Sequence, residues 1–184
     1  GDDFRFGVNR AGDFELLKSW GSKNNIEINN TPTFKYLDER VSSTRIREAL
    51  LNDDFNLAKN LLGRAYTFSG KVVHGQHLGR TIGVPTANLW LPKQKLPISG
   101  VYAVKCNLEN NIYDGIANMG IRPTVGGTQP VLEVHLFEFN SNIYSKRLNV
   151  EFIRKIREEK KFKNLDMLKS QIQKDIKAAK NLLR

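Results

Sequence analysis

This chain is poor in cysteine, in histidine and in long apolar runs. Its single cysteine, Cys106, excludes an internal disulfide and is typical of a reducing compartment. His74 and His77 lie three residues apart without a third ligand nearby, so they make a poor zinc site. No apolar stretch approaches the roughly 18 residues that span a bilayer, and the first residues lack a signal-peptide pattern. We therefore expect a cytoplasmic globular protein without a membrane partner.

The 184 residues carry a formal charge of +10, and most of the excess is C-terminal. Residues 146–184 contain 13 Lys or Arg against 5 Asp or Glu, a local balance of +8. Apolar residues recur there at helical spacing and predict an amphipathic helix over 164–184; they are Leu165, Leu168, Ile172, Ile176 and Leu183. No aromatic residue alternates with the lysines of 164–184, as stacking on a single strand requires. A small anionic substrate explains the basicity, and we expect no nucleic-acid partner.

The most informative segment is the glycine-rich stretch 70–88, GKVVHGQHLGRTIGVPTAN. Glycines let backbone N–H groups come close to an anion. Thr86 and Asn88 then place a hydroxyl and an amide oxygen on one face of an extended chain, and such oxygens suit Mg²⁺ beside phosphates. The segment is neither a Walker A loop nor a Rossmann fingerprint. A plain hairpin or bulge would also account for the glycines alone.

Three regions differ in pattern along the chain. Residues 1–64 are mixed α/β, with helices predicted over 13–20, over 42–51 and from there to residue 62, where Gly63 acts as a stop. Six short strands follow, with a hairpin turn at 109–111; they are 66–74, 87–91, 100–108, 112–119, 131–139 and 148–156. Because closure removes exposed edges, we predict a mainly β protein: a six-stranded Greek-key-like β-barrel with a C-terminal amphipathic helix, preceded by an incomplete α/β segment.

The predicted strand 131–139 alternates between two kinds of residue. Leu132, Val134 and Leu136 share one face, whereas Glu133 and His135 share the other. A carboxylate in an otherwise apolar strand can accept a proton from an alcohol, which makes Glu133 a candidate general base. A surface glutamate on a half-exposed strand is the alternative. We expect His135 to orient a neighbour or to pack rather than to bind a metal.

Five segments together resemble, in order and spacing, the riboflavin kinase module of bacterial bifunctional riboflavin kinase/FAD synthetases. They are 70–88, PISGVY at 97–102, NMGIRPT at 118–124, LEVHLF at 132–137 and IREEKKF at 156–162. Residues 1–12 and SSTRIR at 42–47 resemble the end of the FMN adenylyltransferase domain of the same enzymes. The His-x-Gly-His motif of that domain is absent from the sequence. The resemblance implies the C-terminal part of such an enzyme, with a nucleotidyltransferase-like remnant at 1–64 and a riboflavin kinase domain at 65–184.

The resemblance also implies an activity and a set of site residues. The activity is ATP-dependent phosphorylation of the riboflavin 5′-hydroxyl to FMN, with Mg²⁺ as cofactor and riboflavin, ATP, FMN and ADP as small-molecule partners. Glu133 is implied as the catalytic base, and Thr86 and Asn88 as ligands of Mg²⁺. The other implied contacts are Gly75, Arg80, Gly83, Leu136 and Tyr144 with the nucleotide, Arg157 and Lys160 with the flavin, and Ser43, Thr44 and Arg47 with the nucleotide of the remnant domain. We do not expect this chain alone to make FAD from FMN and ATP, although the longer parent enzyme would.

Two other functions are compatible with the sequence. A flavin- or nucleotide-binding module without catalysis would use the same residues. A small RNA-binding barrel is a more remote alternative that the high pI suggests. One departure from the family concerns Ser145, since glycine usually follows the tyrosine at position 144, and we expect the turn there to differ in conformation.

Overall fold

The computed structural model describes residues 4–75, 79, 82–91, 96–124 and 127–184, with the backbone alone at 122–124, 127 and 128. The chain forms two compact units, Gly1–Ser43 and Thr44–Arg184. In the part of the chain that is described, no helix has the length and apolar character needed to cross a membrane.

Among its described residues, the first unit contains a helix and a small hairpin. A 3₁₀ turn, Val8–Arg10, precedes helix α1, Phe14–Lys23, and strands β1, Lys35–Tyr36, and β2, Glu39–Arg40, pair antiparallel. The Asp13 carboxylate caps α1 by accepting the backbone N–H of Leu16 at 3.0 Å. This hydrogen bond is the main reason that the pKa of Asp13 lies below its ordinary value.

Two short helices begin the second unit and are fastened to the strands that follow. They are α2, Ser43–Leu51, and α3, Phe55–Leu62, and α3 ends at Gly63 with a φ of 69°, as predicted. Asp53, in the turn between them, accepts the Tyr102 hydroxyl at 3.1 Å and the Lys155 ammonium at 2.9 Å. These bonds join the two helices to the rest of the second compact unit. The predicted domain boundary between residues 64 and 65 stays a prediction.

Six strands of the described chain close into an antiparallel barrel in the order β3-β4-β7-β6-β5-β8. They are β3 Thr67–Val73, β4 Ala87–Leu89, β5 Gly100–Leu108, β6 Asn111–Thr124, β7 Gly127–Leu136 and β8 Arg147–Arg157. Because β8 returns to lie beside β5, the run β8-β5-β6-β7 is a Greek key. The predicted barrel, its strands and the C-terminal helix are confirmed.

Local sequence sets two of the strand boundaries. Glu109 and Asn110 join β5 to β6 with φ values of 50° and 71°, the two positive angles of a type I′ turn, so the predicted hairpin is confirmed. Strand β6 extends five residues beyond its predicted end, and strand β7 starts four and ends three residues earlier than predicted. It ends at Leu136 because the chain turns at Glu138, where φ is 54°.

The barrel interior is apolar and one end of it is closed by aromatic rings. Among the side chains with almost no exposure are Tyr102, Val104, Cys106, Leu132, Val134, Leu148 and Val150. Phe55 of α3 packs against Tyr66, Tyr102 and Phe152 with ring centroids 5.7 to 6.4 Å apart. Burying one such ring stabilises the fold by about 1.5 to 3 kcal/mol. Burial also raises the pKa of Tyr66 to about 12.

The C-terminal helix α4, Leu165–Leu183, lies on the outside of the barrel. Asn164 caps it by accepting the backbone N–H of Met167 at 2.9 Å. Its second half packs on an outer apolar cluster of the barrel; the residues involved are Val101, Ala103, Ile116 and Phe137 with Ala179, Ile176 and Leu183. Of the predicted apolar stripe, Leu165 is 57% exposed, and Leu168 and Ile172 line a pocket instead of filling the core.

Candidate functional site

Three polar residues lie side by side on neighbouring strands. Asn88 of β4 is the register partner of Glu133 of β7, and Glu133 is the partner of Asn118 of β6. Directly opposite residues of an antiparallel pair share a face, with Cβ atoms about 4.5 to 5.5 Å apart. The next partner of Asn118, on β5, is Val101 of the cluster beneath α4, so this row lies on the outer face of the barrel.

A pocket of about 360 Å³ opens over Glu133 and Asn118 of this row, and we call it the outer pocket. Its walls come from the barrel, from the segment around residues 82–86, from the end of β8 and from α4. Glu133, Asn118 and Thr86 supply polar groups, and Arg157 and Lys160 supply positive charge. Apolar walls are formed by Val101, Ile116, Phe162, Leu168 and Ile172. The structure therefore brings four of the predicted site residues, Thr86, Glu133, Arg157 and Lys160, into one pocket.

A second pocket, of about 250 Å³, lies at the end of the barrel between β3, β4, β7 and the turn after β7. We call it the barrel-end pocket. Leu136 and Tyr144 line it, as do the polar residues 140–142. Thr86 lines both pockets, which places its hydroxyl-bearing side chain at the border between them.

Glycines allow the chain to approach the polar row closely. A Cβ atom on Gly75 would overlap the side-chain amide of Asn88, and one on Gly79 would overlap the Val84 carbonyl and lie 3.2 Å from the Thr86 hydroxyl. Gly83 has a φ of 78°, a backbone angle that residues other than glycine rarely adopt. Gly75, Gly79 and Gly83 are thus required by close approach or backbone conformation. The predicted site residue Arg80 lies outside the described residues.

The donor set of Thr86 and Asn88 fits Mg²⁺ better than a softer metal. The described residues contain no cluster of three His, Cys, Asp or Glu side chains that could hold a metal ion. A hydroxyl and an amide oxygen next to a glycine-lined loop are hard oxygen ligands, and Mg²⁺ takes the rest of its shell from waters and phosphates. Asn88 is only 9% exposed, and the backbone at Gly75 lies directly against its amide.

The guanidinium of Arg157 is fixed at one wall of the outer pocket. Its Nε and Nη2 atoms donate to the same Asp175 carboxylate oxygen at 2.9 and 2.7 Å, and Gln171 donates to the other oxygen at 2.8 Å. The Phe162 ring lies 5.7 Å from the guanidinium carbon. Sequence reasoning missed Asp175. The available signal was a carboxylate three residues after Ile172, inside the apolar stripe of α4.

A second carboxylate that sequence reasoning missed borders the same pocket. Glu159 accepts the side-chain amide of Asn118 at 3.3 Å. A Cβ atom on Gly120 would overlap this carboxylate, so the Glu159 side chain lies directly against the β6 backbone. Asn118 therefore lies between two carboxylates, Glu133 in the register row and Glu159 beyond the end of β8.

Tyr144 at the barrel-end pocket stacks on a histidine. The ring centroids of His74 and Tyr144 are 3.9 Å apart and their planes differ by 24°. Ser145, which follows, has a φ of 65°, the conformation that glycine adopts most easily. Its N–H donates to the Val72 carbonyl at 3.0 Å, so the turn is attached to β3 although it lacks glycine.

Two of the remaining candidates, Thr44 and Arg47, lie in the first turns of α2 and line neither the outer pocket nor the barrel-end pocket. The structure therefore does not bring these two residues together with Glu133 and Thr86. Ser43, the first residue of α2, belongs to the other compact unit.

Fold and site together define a six-stranded Greek-key barrel domain with two pockets that meet at Thr86. Residues 62–183 match the flavokinase family, described as riboflavin kinase, and residues 1–45 match the FAD synthetase family. The chain belongs to the riboflavin kinase family. Its predicted resemblance to both parts of the bifunctional enzymes is confirmed.

Two curated relatives illustrate this similarity, and both are bifunctional riboflavin kinase/FMN adenylyltransferases. The protein of Haemophilus influenzae is 51% identical over 181 residues, which cover 98% of this chain and 59% of the relative. That of Escherichia coli K12 is 48% identical over 176 residues, or 95% of this chain and 56% of the relative. A crystal structure described as a macrolide-efflux protein from Streptococcus pneumoniae has a TM-score of 0.76 at 35% identity and covers 98% of this chain and 59% of that chain. The chain thus spans somewhat more than half the length of these proteins.

Proposed function

We propose that this chain is a riboflavin kinase that transfers the γ-phosphoryl group of ATP to the 5′-hydroxyl of riboflavin. The bond between the γ-phosphorus and the bridging oxygen of ADP breaks, and a bond from that phosphorus to the 5′-oxygen forms. The products are FMN, ADP and the proton of the hydroxyl. The observation that carries this proposal is the position of Thr86. This residue lines both pockets and follows the glycine-rich loop in the sequence.

The outer pocket suits a flavin. Its apolar walls, among them Ile116 and Ile172, can enclose a planar ring system, while Arg157 and Lys160 supply donors for polar ring atoms or for the product phosphate. Its volume of about 360 Å³ lies within the range of small-molecule sites. We assign the flavin to this pocket because Glu133 lines it as well.

Glu133 is the candidate base for the flavin alcohol. It lies in the row between Asn88 and Asn118 and lines the outer pocket. A carboxylate in this place can accept the proton of a hydroxyl that attacks from the outer pocket. Phosphoryl transfer otherwise depends on positioning and on charge stabilisation.

The barrel-end pocket is the candidate nucleotide site. Leu136 and the Tyr144 ring, braced by His74, offer surfaces for a base, and polar residues 140–142 offer hydrogen-bonding groups. Gly75 and Gly83 allow the loop to approach phosphates, and Arg80 is proposed to add positive charge. Thr86 and Asn88 would hold Mg²⁺. A bound Mg²⁺ ion would neutralise charge on the phosphates.

We propose adenylyl transfer to FMN for a whole bifunctional enzyme of this kind, and not for these 184 residues alone. The chain includes the stretch 1–45 that matches the FAD synthetase family, with Ser43, Thr44 and Arg47 as candidate nucleotide contacts. It lacks a His-x-Gly-His motif. From a protein that consists of these 184 residues alone we therefore expect FMN but no FAD from riboflavin and ATP.

The test is a chromatographic assay of the purified protein with riboflavin and Mg-ATP. We expect FMN and ADP in equal amounts, with no FMN when EDTA removes the divalent ion. A change of flavin fluorescence without FMN would instead support a binding module without catalysis. RNA binding that weakens steeply with salt, again without FMN, would support the nucleic-acid alternative.

A further inference from the structure

A side-chain hydrogen bond connects strand β7 to the segment that precedes Thr86. The Nδ1 atom of His135 lies 2.8 Å from the backbone carbonyl oxygen of Pro85, fifty residues away in the sequence. A carbonyl oxygen only accepts hydrogen bonds, so Nδ1 carries the proton and donates it. The His135 ring also borders the outer pocket.

This bond continues the barrel where the backbone pairing ends. The register of β4 with β7 runs from Leu89 to Ala87, which is paired with Val134. The next pair of facing positions along these two strands is Thr86 and His135. Pro85 has no N–H to offer a neighbouring strand, so its carbonyl is the backbone group available there. The imidazole provides a donor to that carbonyl.

We propose that His135 is a positioning residue that fixes Thr86 relative to Glu133. Thr86 is held on one side by the pairing of Ala87 and on the other by the bond between His135 and Pro85. His135 lies two residues from Glu133 on the same strand face, so one strand sets the positions of the proposed base and of the proposed magnesium ligand. This inference rests on the proposed function, in which Glu133 accepts the proton of the riboflavin hydroxyl and Thr86 would bind Mg²⁺ beside the ATP phosphates.

A purely structural role in packing is the rival explanation. The His135 ring lies edge-on to Phe137, with centroids 5.8 Å apart and planes at 65°. Two substitutions separate the alternatives. His135→Phe keeps an aromatic ring but removes the donor, whereas His135→Asn loses the ring but keeps an amide nitrogen at the same number of bonds from the backbone as Nδ1.

The experiment measures turnover, Mg-ADP binding by calorimetry and riboflavin binding by fluorescence in the wild type and both variants. For His135→Phe we expect kcat to fall roughly 10- to 100-fold, because small misplacements of reacting groups have effects of this size. We expect Mg-ADP affinity to fall several-fold and riboflavin affinity without nucleotide to change less than about twofold. His135→Asn should recover kcat and Mg-ADP affinity to within about threefold of the wild type.

The opposite order, an active His135→Phe and an impaired His135→Asn, would overturn the proposal in favour of packing. If His135→Phe does not fold, His135→Gln replaces it, since its amide nitrogen takes the place of Nε2 and should not restore the bond. If the wild type binds Mg-ADP but makes no FMN, the proposed function fails, while calorimetry on the variants still decides the role of His135. A wild type that binds no Mg-ADP would overturn both.

Discussion

Arg157 and Asp175 form a buried ion pair that joins the end of β8 to the middle of α4. Their side chains are 14% and 4% exposed. The pair lies at the wall of the outer pocket, so the same contact that attaches the helix also orients a proposed flavin-binding guanidinium. Fold stability and site geometry are therefore linked through one carboxylate.

Replacing Asp175 with Asn should destabilise the protein. Removing one partner of a buried pair leaves the other charge uncompensated, which costs about 3 to 5 kcal/mol. Urea unfolding of the variant should show a loss of this size, accompanied by weaker riboflavin binding. The matched control is Asp166→Asn at the exposed first turn of α4, where about 0.3 to 1 kcal/mol is expected. A loss below about 1 kcal/mol for Asp175→Asn would show that the pair contributes little.

Glu133→Gln should separate binding from turnover. The amide keeps the size of the side chain but is a poor proton acceptor, so kcat should fall by roughly two to four decades while riboflavin and nucleotide affinities stay close to those of the wild type. Glu138→Gln, in the exposed turn after the same strand, is the control and should leave kcat unchanged. Near-normal turnover of Glu133→Gln would exclude Glu133 as the base.

Thr86→Val should raise the Mg²⁺ concentration that the protein needs for activity. Valine has nearly the same shape as threonine without the hydroxyl, so a lost metal ligand is tested with little change in packing. We expect the Mg²⁺ concentration for half-maximal activity to rise at least about tenfold. Riboflavin binding without nucleotide should be unaffected, and Thr67→Val at the exposed start of β3 serves as control. An unchanged magnesium dependence would remove Thr86 from the metal site.

The buried thiol predicts a loss of stability at alkaline pH. Burial, together with the charge of Asp114, raises the pKa of Cys106 from 9.0 to about 12. The unfolded chain loses this proton at lower pH than the folded one, so stability is retained below about pH 9 and declines as the pH rises towards 12, by at most about 1.4 kcal/mol per pH unit. Urea unfolding at pH 8 and pH 10.5 measures the decline. Cys106→Ala should show a smaller decline than the wild type, and equal declines would contradict this account.

Much of the barrel could be predicted because its signals are local or periodic. Alternating residues marked the strand that contains Glu133, the sequence at 109–111 marked a hairpin, and Gly63 marked a helix end. The start of strand β7 was misplaced by four residues because it depends on pairing with β6 and not on the strand's own pattern. The attachment of α2 and α3 through Asp53 was missed for a related reason, since Tyr102 and Lys155 lie about fifty and a hundred residues further along the chain.

The sequence by itself determined the kinds of chemical group available and the elements that carry them: a hydroxyl and an amide after a glycine-rich loop, a carboxylate on an apolar strand, and an amphipathic helix. Only the tertiary structure decided which of these groups meet. The register of three strands aligns Asn88, Glu133 and Asn118, and barrel closure brings the end of β8 beneath α4. The physical reason is that periodicity is set by neighbours in sequence, whereas register and closure are set by pairing between distant strands.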